Sequence, residues 1–209
     1  IFGLMTWRLG KSGDRLKFLE RSKCFYNRSY MSQYFKFLKS KIEGLFTIER
    51  SLIEDDRGFF SRFFCEEEFT KLGFTQSVKQ MNHTLTKKKG SIRGMHFQKP
   101  PYEEIKIVSC IKGKVFDVAV DIRKDSPTFL HWHGEELSAD NSSSLYIPAG
   151  FAHGFQALTD NCELFYIHSE AYQPEAEAAL NAFDPKINIS WPISVSEMSI
   201  RDRQIPLLD

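Results

Sequence analysis

The chain has no Cys-x-x-Cys pair: Cys24, Cys65, Cys110 and Cys162 stand singly and far apart. That spacing speaks against a zinc ribbon or a disulfide framework and for reduced thiols, with Cys110 and Cys162 acting as small hydrophobes inside apolar runs. No apolar stretch approaches the ~20 residues that a membrane-spanning helix needs, and there is no internal repeat or low-complexity tract. An excess of one charge is missing too, with 28 Lys and Arg against 27 Asp and Glu. Residues 1–30 hold seven of the bases and two of the acids, which leaves 21 − 25 = −4 for the remainder. A basic nucleic-acid-binding face is thereby excluded from the folded part. The expectation is a cytoplasmic protein with neither nucleic acid nor membrane as partner.

What is abundant is phenylalanine, 19 in 209 residues, a composition that suits pleated surfaces better than helices. Residues 1–30 differ in texture from the rest and are expected to form a basic N-terminal extension. Met31 is a candidate start, and the Arg-rich, acid-poor stretch also fits a transit peptide. Residues 31–209 are expected to form one domain. From Gly44 onward short apolar runs end in turn residues. Gly113 opens a period-2 strand with Phe116, Val118, Val120 and Ile122 on one face and Asp117, Ala119, Asp121 and Arg123 on the other. Ile105, Ile107, Ser109 and Ile111 alternate with Lys106, Val108, Cys110 and Lys112. Glu163 to Ile167 reads as another strand, and Leu145 and Ile147 lead into Pro148. Outside the tail one short helix stands out, Glu66 to Leu72, with acids in its first turn and Gly73 as its stop. Short strands at this spacing predict an antiparallel sandwich or barrel.

Two segments carry candidate chemistry, Arg93-Gly94-Met95-His96-Phe97-Gln98 and Pro148-Ala149-Gly150-Phe151-Ala152-His153-Gly154-Phe155. His96 and Gln98 share a strand face, while Arg93, three positions earlier, points the other way unless a bulge intervenes. The turn residues around His153 would hold it against a cavity wall. Both segments resemble the cupin barrel, whose first motif supplies His-x-His and an acid and whose second supplies another His. Here Gln98 replaces a ligand His, leaving His96, His153 and Glu103 or Glu104. Glutamine is a poor ligand for transition metals, so no metal or other cofactor is expected. His131-Trp132-His133 has metal-like spacing but follows Pro127-Thr128 in a strand-entry loop, and is read as surface.

The resemblance then narrows to the dTDP-4-dehydrorhamnose 3,5-epimerase family. It rests on Asp56-Arg57-Gly58-Phe59-Phe60, Gln80-Met81-Asn82, the Arg93 to Gln98 run, Lys106, Phe116 to Arg123, Ser126-Pro127-Thr128 and Leu137 to Asn141. It continues through Tyr166, Tyr172-Gln173-Pro174, Asp184-Pro185 and Trp191-Pro192. These span roughly residues 44–203 in unbroken order.

That resemblance implies an all-β, cupin-like jelly-roll barrel with short peripheral helices. It also implies epimerisation at C3 and C5 of a dTDP-linked 4-keto-6-deoxyhexose. By resemblance His96 is the base, Asp184 the carboxylate that orients it, Tyr166 the acid on the opposite face and Lys106 the support of the enolate oxygen. A structural salt bridge from Lys106 to Asp117 is the alternative for that lysine. Arg57, Phe60, Gln80, Asn82, Arg93, His153, Tyr172 and Glu177 match substrate-binding positions, Tyr172 being suited to stack on thymine. The family further implies a homodimer in which Arg57 and Phe60 reach into the partner's site. Phe59, Phe60, Phe63 and Phe64 make both faces of that stretch aromatic and in need of cover.

The match is imperfect at two places. Arg62 stands where one branch of the family has Glu, and Glu177 to Phe183 lacks the usual Gly, Arg and Trp. Alternatives to dual epimerisation are a C3-only epimerase on a related nucleotide sugar, a metal-dependent cupin enzyme, and a non-catalytic cupin that binds a sugar nucleotide.

Overall fold

In a computed structural model of the chain, which describes residues 30–209, strands dominate and only two short helices occur among the described residues. A seven-stranded sheet runs in the order β1 (Tyr30–Met31), β2 (Phe35–Lys39), β3 (Phe46–Arg50), β11 (Ser143–Ile147), β8 (Lys106–Lys112), β13 (Cys162–His168), β6 (Gln80–Thr86). A five-stranded sheet runs β10 (Trp132–Ser138), β9 (Lys114–Asp121), β12 (Phe151–Ala157), β7 (Ile92–Gln98), β14 (Glu177–Ala179). A separate hairpin pairs β4 (Leu52–Asp55) with β5 (Gly58–Ser61). Every pairing is antiparallel. The two large sheets make a cupin-type jelly roll, a way of closing antiparallel strands that leaves few free edges. The basic extension expected over residues 1–30 lies, apart from Tyr30, outside the described residues.

Three apolar clusters explain the aromatic content and the alternation. Between the sheets, Val108, Cys110, Val115, Ala119, Leu145, Phe155, Leu164 and Tyr166 pack together. The outer face of the large sheet is covered by an aromatic layer of Phe35, Phe37, Phe46, Phe69, Phe74 and Tyr146. Here Phe35 and Phe69 meet edge-on at 5.2 Å and Phe64 joins them, 5.0 Å from Phe69. Helix α1 (Glu66–Thr70) contributes Phe69 and is followed by Gly73 at φ 99, as its stop signal requires. On the outer face of the small sheet, Ile92, Met95, Val118 and Val120 lie beneath the C-terminal segment, with Ala182, Ile187, Trp191 and Leu208. Strand β9 is thus covered on both faces. Its more polar side, Asp117 and Asp121 with Ala119, is the one that looks inward, and both carboxylates are fully buried.

The register of β7 against β12 shapes the site. His153 pairs with His96, but Phe155 pairs with Arg93, so the ladder shifts by one residue between them. That bulge brings Arg93 and His96, three apart in sequence, to the same cavity. Glycine makes it fit. Gly94 sits at φ +136, and a Cβ there would lie 2.4 Å from the Cα of Gly154.

Candidate active site

A cavity of about 180 Å³ opens between the sheets, lined by Asn82, Thr84, Arg93, His96, Lys106, His153, Phe155, Tyr166 and His168. It adjoins a second hollow of about 460 Å³, which shares Asn82, His96, Lys106 and His168 and adds Gln80, Phe97, Gln98, Glu104, Tyr172 and Glu177. The ladders explain the convergence. On the large sheet Tyr166 stands opposite Asn82, and His168 opposite both Gln80 and Lys106. Alternation puts these side chains on one inward face. On the small sheet His153 and His96 are direct cross-strand neighbours.

Each of three cavity histidines is held by a carboxylate. His96 Nε2 lies 2.8 Å from Asp202 Oδ1, His153 Nε2 2.8 Å from Asp117 Oδ1, and His168 Nδ1 2.7 Å from Glu104 Oε2. A ring N–H donated to the carboxylate fixes the tautomer and leaves the other nitrogen free to exchange a proton. The orienting partner of His96 is therefore Asp202, not Asp184. Asp184 is buried behind the small sheet, where Oδ1 accepts from the amide of Lys186 and Oδ2 from the amide of Leu208. It ties the Asp-Pro turn to the C-terminus and lines neither hollow.

Asp202 comes from α2 (Ile200–Arg203), a single turn near the C-terminus that packs on β7. The signal was present in Ser199-Ile200-Arg201-Asp202, the S-x-x-D pattern of a capped helix start. Ser199 Oγ accepts from the Asp202 amide at 3.0 Å, but the Asp202 carboxylate reaches out to His96 instead of back to the cap. Arg201, also absent from the sequence reading, clamps Glu177 with both terminal nitrogens, at 2.9 and 2.6 Å, and comes within 3.4 Å of His96 Nε2. Its guanidinium holds the Glu177 carboxyl below the usual range, and Tyr172 donates to the same carboxylate at 2.7 Å.

On the opposite wall, Lys106 and Glu104 form an ion pair at 3.0 Å, both side chains 10% exposed. Asp117 is thus not the partner of Lys106. Tyr166 is buried, and burial followed by the nearby Asp117 charge pushes its phenol well above the ordinary value. Like an ordinary phenol it is protonated at neutral pH and so holds a proton to give. Gln98 spends its amide on the fold, donating to the carbonyls of Tyr102 and Ala171 and accepting from the Gln173 amide. Gln80 accepts from the Tyr172 amide and fixes the loop that presents this tyrosine. Asp117 Oδ2 is buried without a partner among the described residues, a polar atom of the kind a bound ligand satisfies. No group of three or more His, Cys, Asp or Glu among the described residues is placed to hold a metal ion.

Two expected binding residues lie elsewhere. Arg57 and Phe60 sit on the β4–β5 hairpin, the Arg57 side chain 89% exposed and paired with Asp55, and neither lines the cavity of its own chain. Phe63 and Phe64, by contrast, pack into the aromatic layer of their own subunit.

Comparison with known proteins agrees with this architecture. The family model for dTDP-4-dehydrorhamnose 3,5-epimerase matches residues 39–209. The chain is 42% identical over 174 residues to the epimerase of that name from Salmonella typhimurium, covering 82% of this chain and 94% of that one. Among solved structures, the Bacillus anthracis epimerase with TDP and PPi bound superposes with a TM-score of 0.80 at 38% identity, covering 83% of this chain and 99% of that one. The Legionella pneumophila enzyme, in complex with dTDP-4-keto-L-rhamnose, gives 0.79 at 37% identity, covering 83% and 93%. The chain belongs to the dTDP-4-dehydrorhamnose 3,5-epimerase family.

Proposed function

We propose that this chain inverts C3 and C5 of dTDP-4-dehydro-6-deoxy-D-glucose, giving dTDP-4-dehydro-L-rhamnose, by proton removal and return through an enolate. One observation carries the reading: His96, backed by Asp202, stands on one wall of a cavity whose other wall bears Tyr166 and Lys106. The C4 carbonyl acidifies the hydrogens on C3 and C5. Neutral His96, its Nε2–H given to Asp202, accepts the carbon-bound proton at Nδ1, and Asp202 stabilises the imidazolium that forms. The electron pair moves into the enolate, whose oxygen develops charge against Lys106. Electrostatic support of this kind is among the largest contributions a site can make. Tyr166 then donates its phenolic proton from the opposite face. Arg93 and Asn82 contribute polar groups to the sugar side of the cavity, and Gln80, Tyr172 and Glu177 line the wider hollow that suits the nucleotide.

The active unit we propose is a homodimer. Leu52, Ile53, Phe59 and Phe60 leave the hairpin apolar and exposed on both faces, with Arg57 at its tip. Such an edge calls for cover, and a second copy would supply it while gaining Arg57 for its nucleotide. The compartment we assign is the cytoplasm, in keeping with free Cys65, Cys110 and Cys162. The test of the mechanism is a pair of variants assayed in D₂O. His96→Asn is expected to abolish deuterium uptake at carbon, whereas Tyr166→Phe is expected to permit uptake but misdirect its stereochemistry. Equal partial losses in both would overturn the assignment.

A further inference from the structure

Inverting two stereocentres places a double demand on the acid wall of the cavity. Each carbon loses a proton on one face and gains one on the other, so the wall opposite His96 must deliver two protons per turnover. The groups facing the cavity from that wall are Gln80, Asn82 and Thr84 on β6, Lys106 on β8 with Glu104 just before it, and Tyr166 and His168 on β13. Amides and the threonine hydroxyl do not release protons near neutral pH. Lys106 is committed to Glu104 and to the enolate oxygen. Tyr166 and His168 remain.

We propose that His168, held by Glu104, is the second proton carrier of this wall and serves the stereocentre that Tyr166 does not. The inference rests on the dual-epimerase reading above. Three features of the geometry support it. Glu104 accepts from His168 Nδ1 at 2.7 Å and leaves Nε2 as the working nitrogen, 3.4 Å from the Asn82 amide nitrogen. The imidazole stacks on the Tyr166 ring, centroids 5.9 Å apart and planes 22° from parallel, so the two donors stand side by side. His168 also occupies both the cavity and the adjoining hollow, as His96 does from the facing sheet. Glu104 is suited to back a cation. Burial would raise its pKa, but the bond from His168 and the charge of Lys106 outweigh that and hold it below the usual carboxylate range.

The step balances. His96 takes a proton from carbon, the C–H electron pair enters the enolate, and the negative charge rests on the oxygen beside Lys106. As the enolate collapses, a new C–H bond forms on the opposite face with the Nε2 proton of the His168 imidazolium, which becomes neutral. Solvent entering the open hollow takes the proton from His96 and returns one to His168. In the reverse direction neutral His168 is the base.

The experiment is product analysis by NMR in D₂O with dTDP-4-keto-6-deoxyglucose. His168→Gln keeps a polar side chain of similar reach but has no titratable proton. It is expected to exchange hydrogen at both carbons yet invert only one, the doubly inverted product falling roughly 100-fold, the range general acid catalysis spans, with KM near wild type. Tyr166→Phe is expected to lose inversion at the other carbon. Glu104→Gln provides a second arm should His168→Gln fail to fold, and is expected to slow the same inversion and shift the product ratio the same way. A His168→Gln enzyme that makes the doubly inverted product at the wild-type rate overturns the proposal. So does equal loss at both carbons, loss of the same carbon in both the His168 and Tyr166 variants, or an unchanged product ratio in Glu104→Gln. A wild-type enzyme that inverts one carbon only would instead remove the dual-epimerase reading.

Discussion

Replacing Asp202 by Asn tests how much the carboxylate does for His96. The side chain keeps its size and can still accept from Nε2, so the 2.8 Å contact survives while the negative charge is lost. Two unit charges about 4 Å apart attract by about 4 kcal/mol at an effective dielectric near 20. Asp202 is 5% exposed but the His96 side chain is 32% exposed, so solvent screens part of this. About 2 kcal/mol of imidazolium stabilisation at the proton-transfer step remains, which corresponds to roughly a 30-fold fall in kcat. The fold should be unaffected, because Ser199 Oγ still receives the amide of residue 202. Steady-state kinetics coupled to reduction of the 4-keto product would measure it, with circular dichroism as the check on folding. A folded variant whose kcat stays within a factor of about three of wild type would refute the stabilisation of the imidazolium by the Asp202 charge.

Asp184→Asn should do the reverse, leaving kcat near wild type while weakening the bonds to the Lys186 and Leu208 amides; a loss of about 1–2 kcal/mol would lower Tm by a few degrees in a thermal melt. Asp121 gives a pH signature: burial would raise its pKa, but Arg123, Ser126 and Thr128 hold it at about 2. Its folded-state value lies below the unfolded one of about 3.9, so its contribution is present above pH 4 and is lost as pH falls toward 2. The Tm gap between wild type and Asp121→Asn should accordingly be full at pH 6 and narrow below pH 4. If the proposed homodimer shares its sites, Arg57→Ala and His96→Asn should each be poorly active alone, and mixing them should restore activity through hybrids with one intact site. Light scattering that finds an active monomer would remove that reading.

The cavity was legible where strand alternation alone places a side chain. Lys106 shares a face with apolar Val108 and Cys110, and Tyr166, marked in the sequence only by the family resemblance, lies opposite Val108 on that same face. His96 and Arg93 could not be put on one wall from spacing, because the register shift at Gly94 and Gly154 depends on two strands approaching closely. Asp202 was illegible for a different reason: its contact with His96 spans 106 residues and is made by a one-turn helix that only the C-terminal wrap brings into place. The late Asp-Pro was the more conspicuous feature, but its carboxylate is consumed by backbone amides. His168 went unmarked because a histidine at a strand end carries no pattern of its own, and its significance appears only with Glu104 and Tyr166 around it. In the β9 run, hydrophobic alternation identified the strand but not which side faced the core, since the C-terminal segment covers the apolar face and the buried aspartates face inward.

In the proposed reaction one cavity epimerises two carbons through enolates. The most direct measurement incubates the wild-type protein with dTDP-4-keto-6-deoxyglucose in D₂O and follows C3 and C5 by NMR. Deuterium at both carbons with both configurations inverted is the expected result. Deuterium at C3 alone, or at neither carbon in a folded protein that binds the nucleotide sugar, would contradict it.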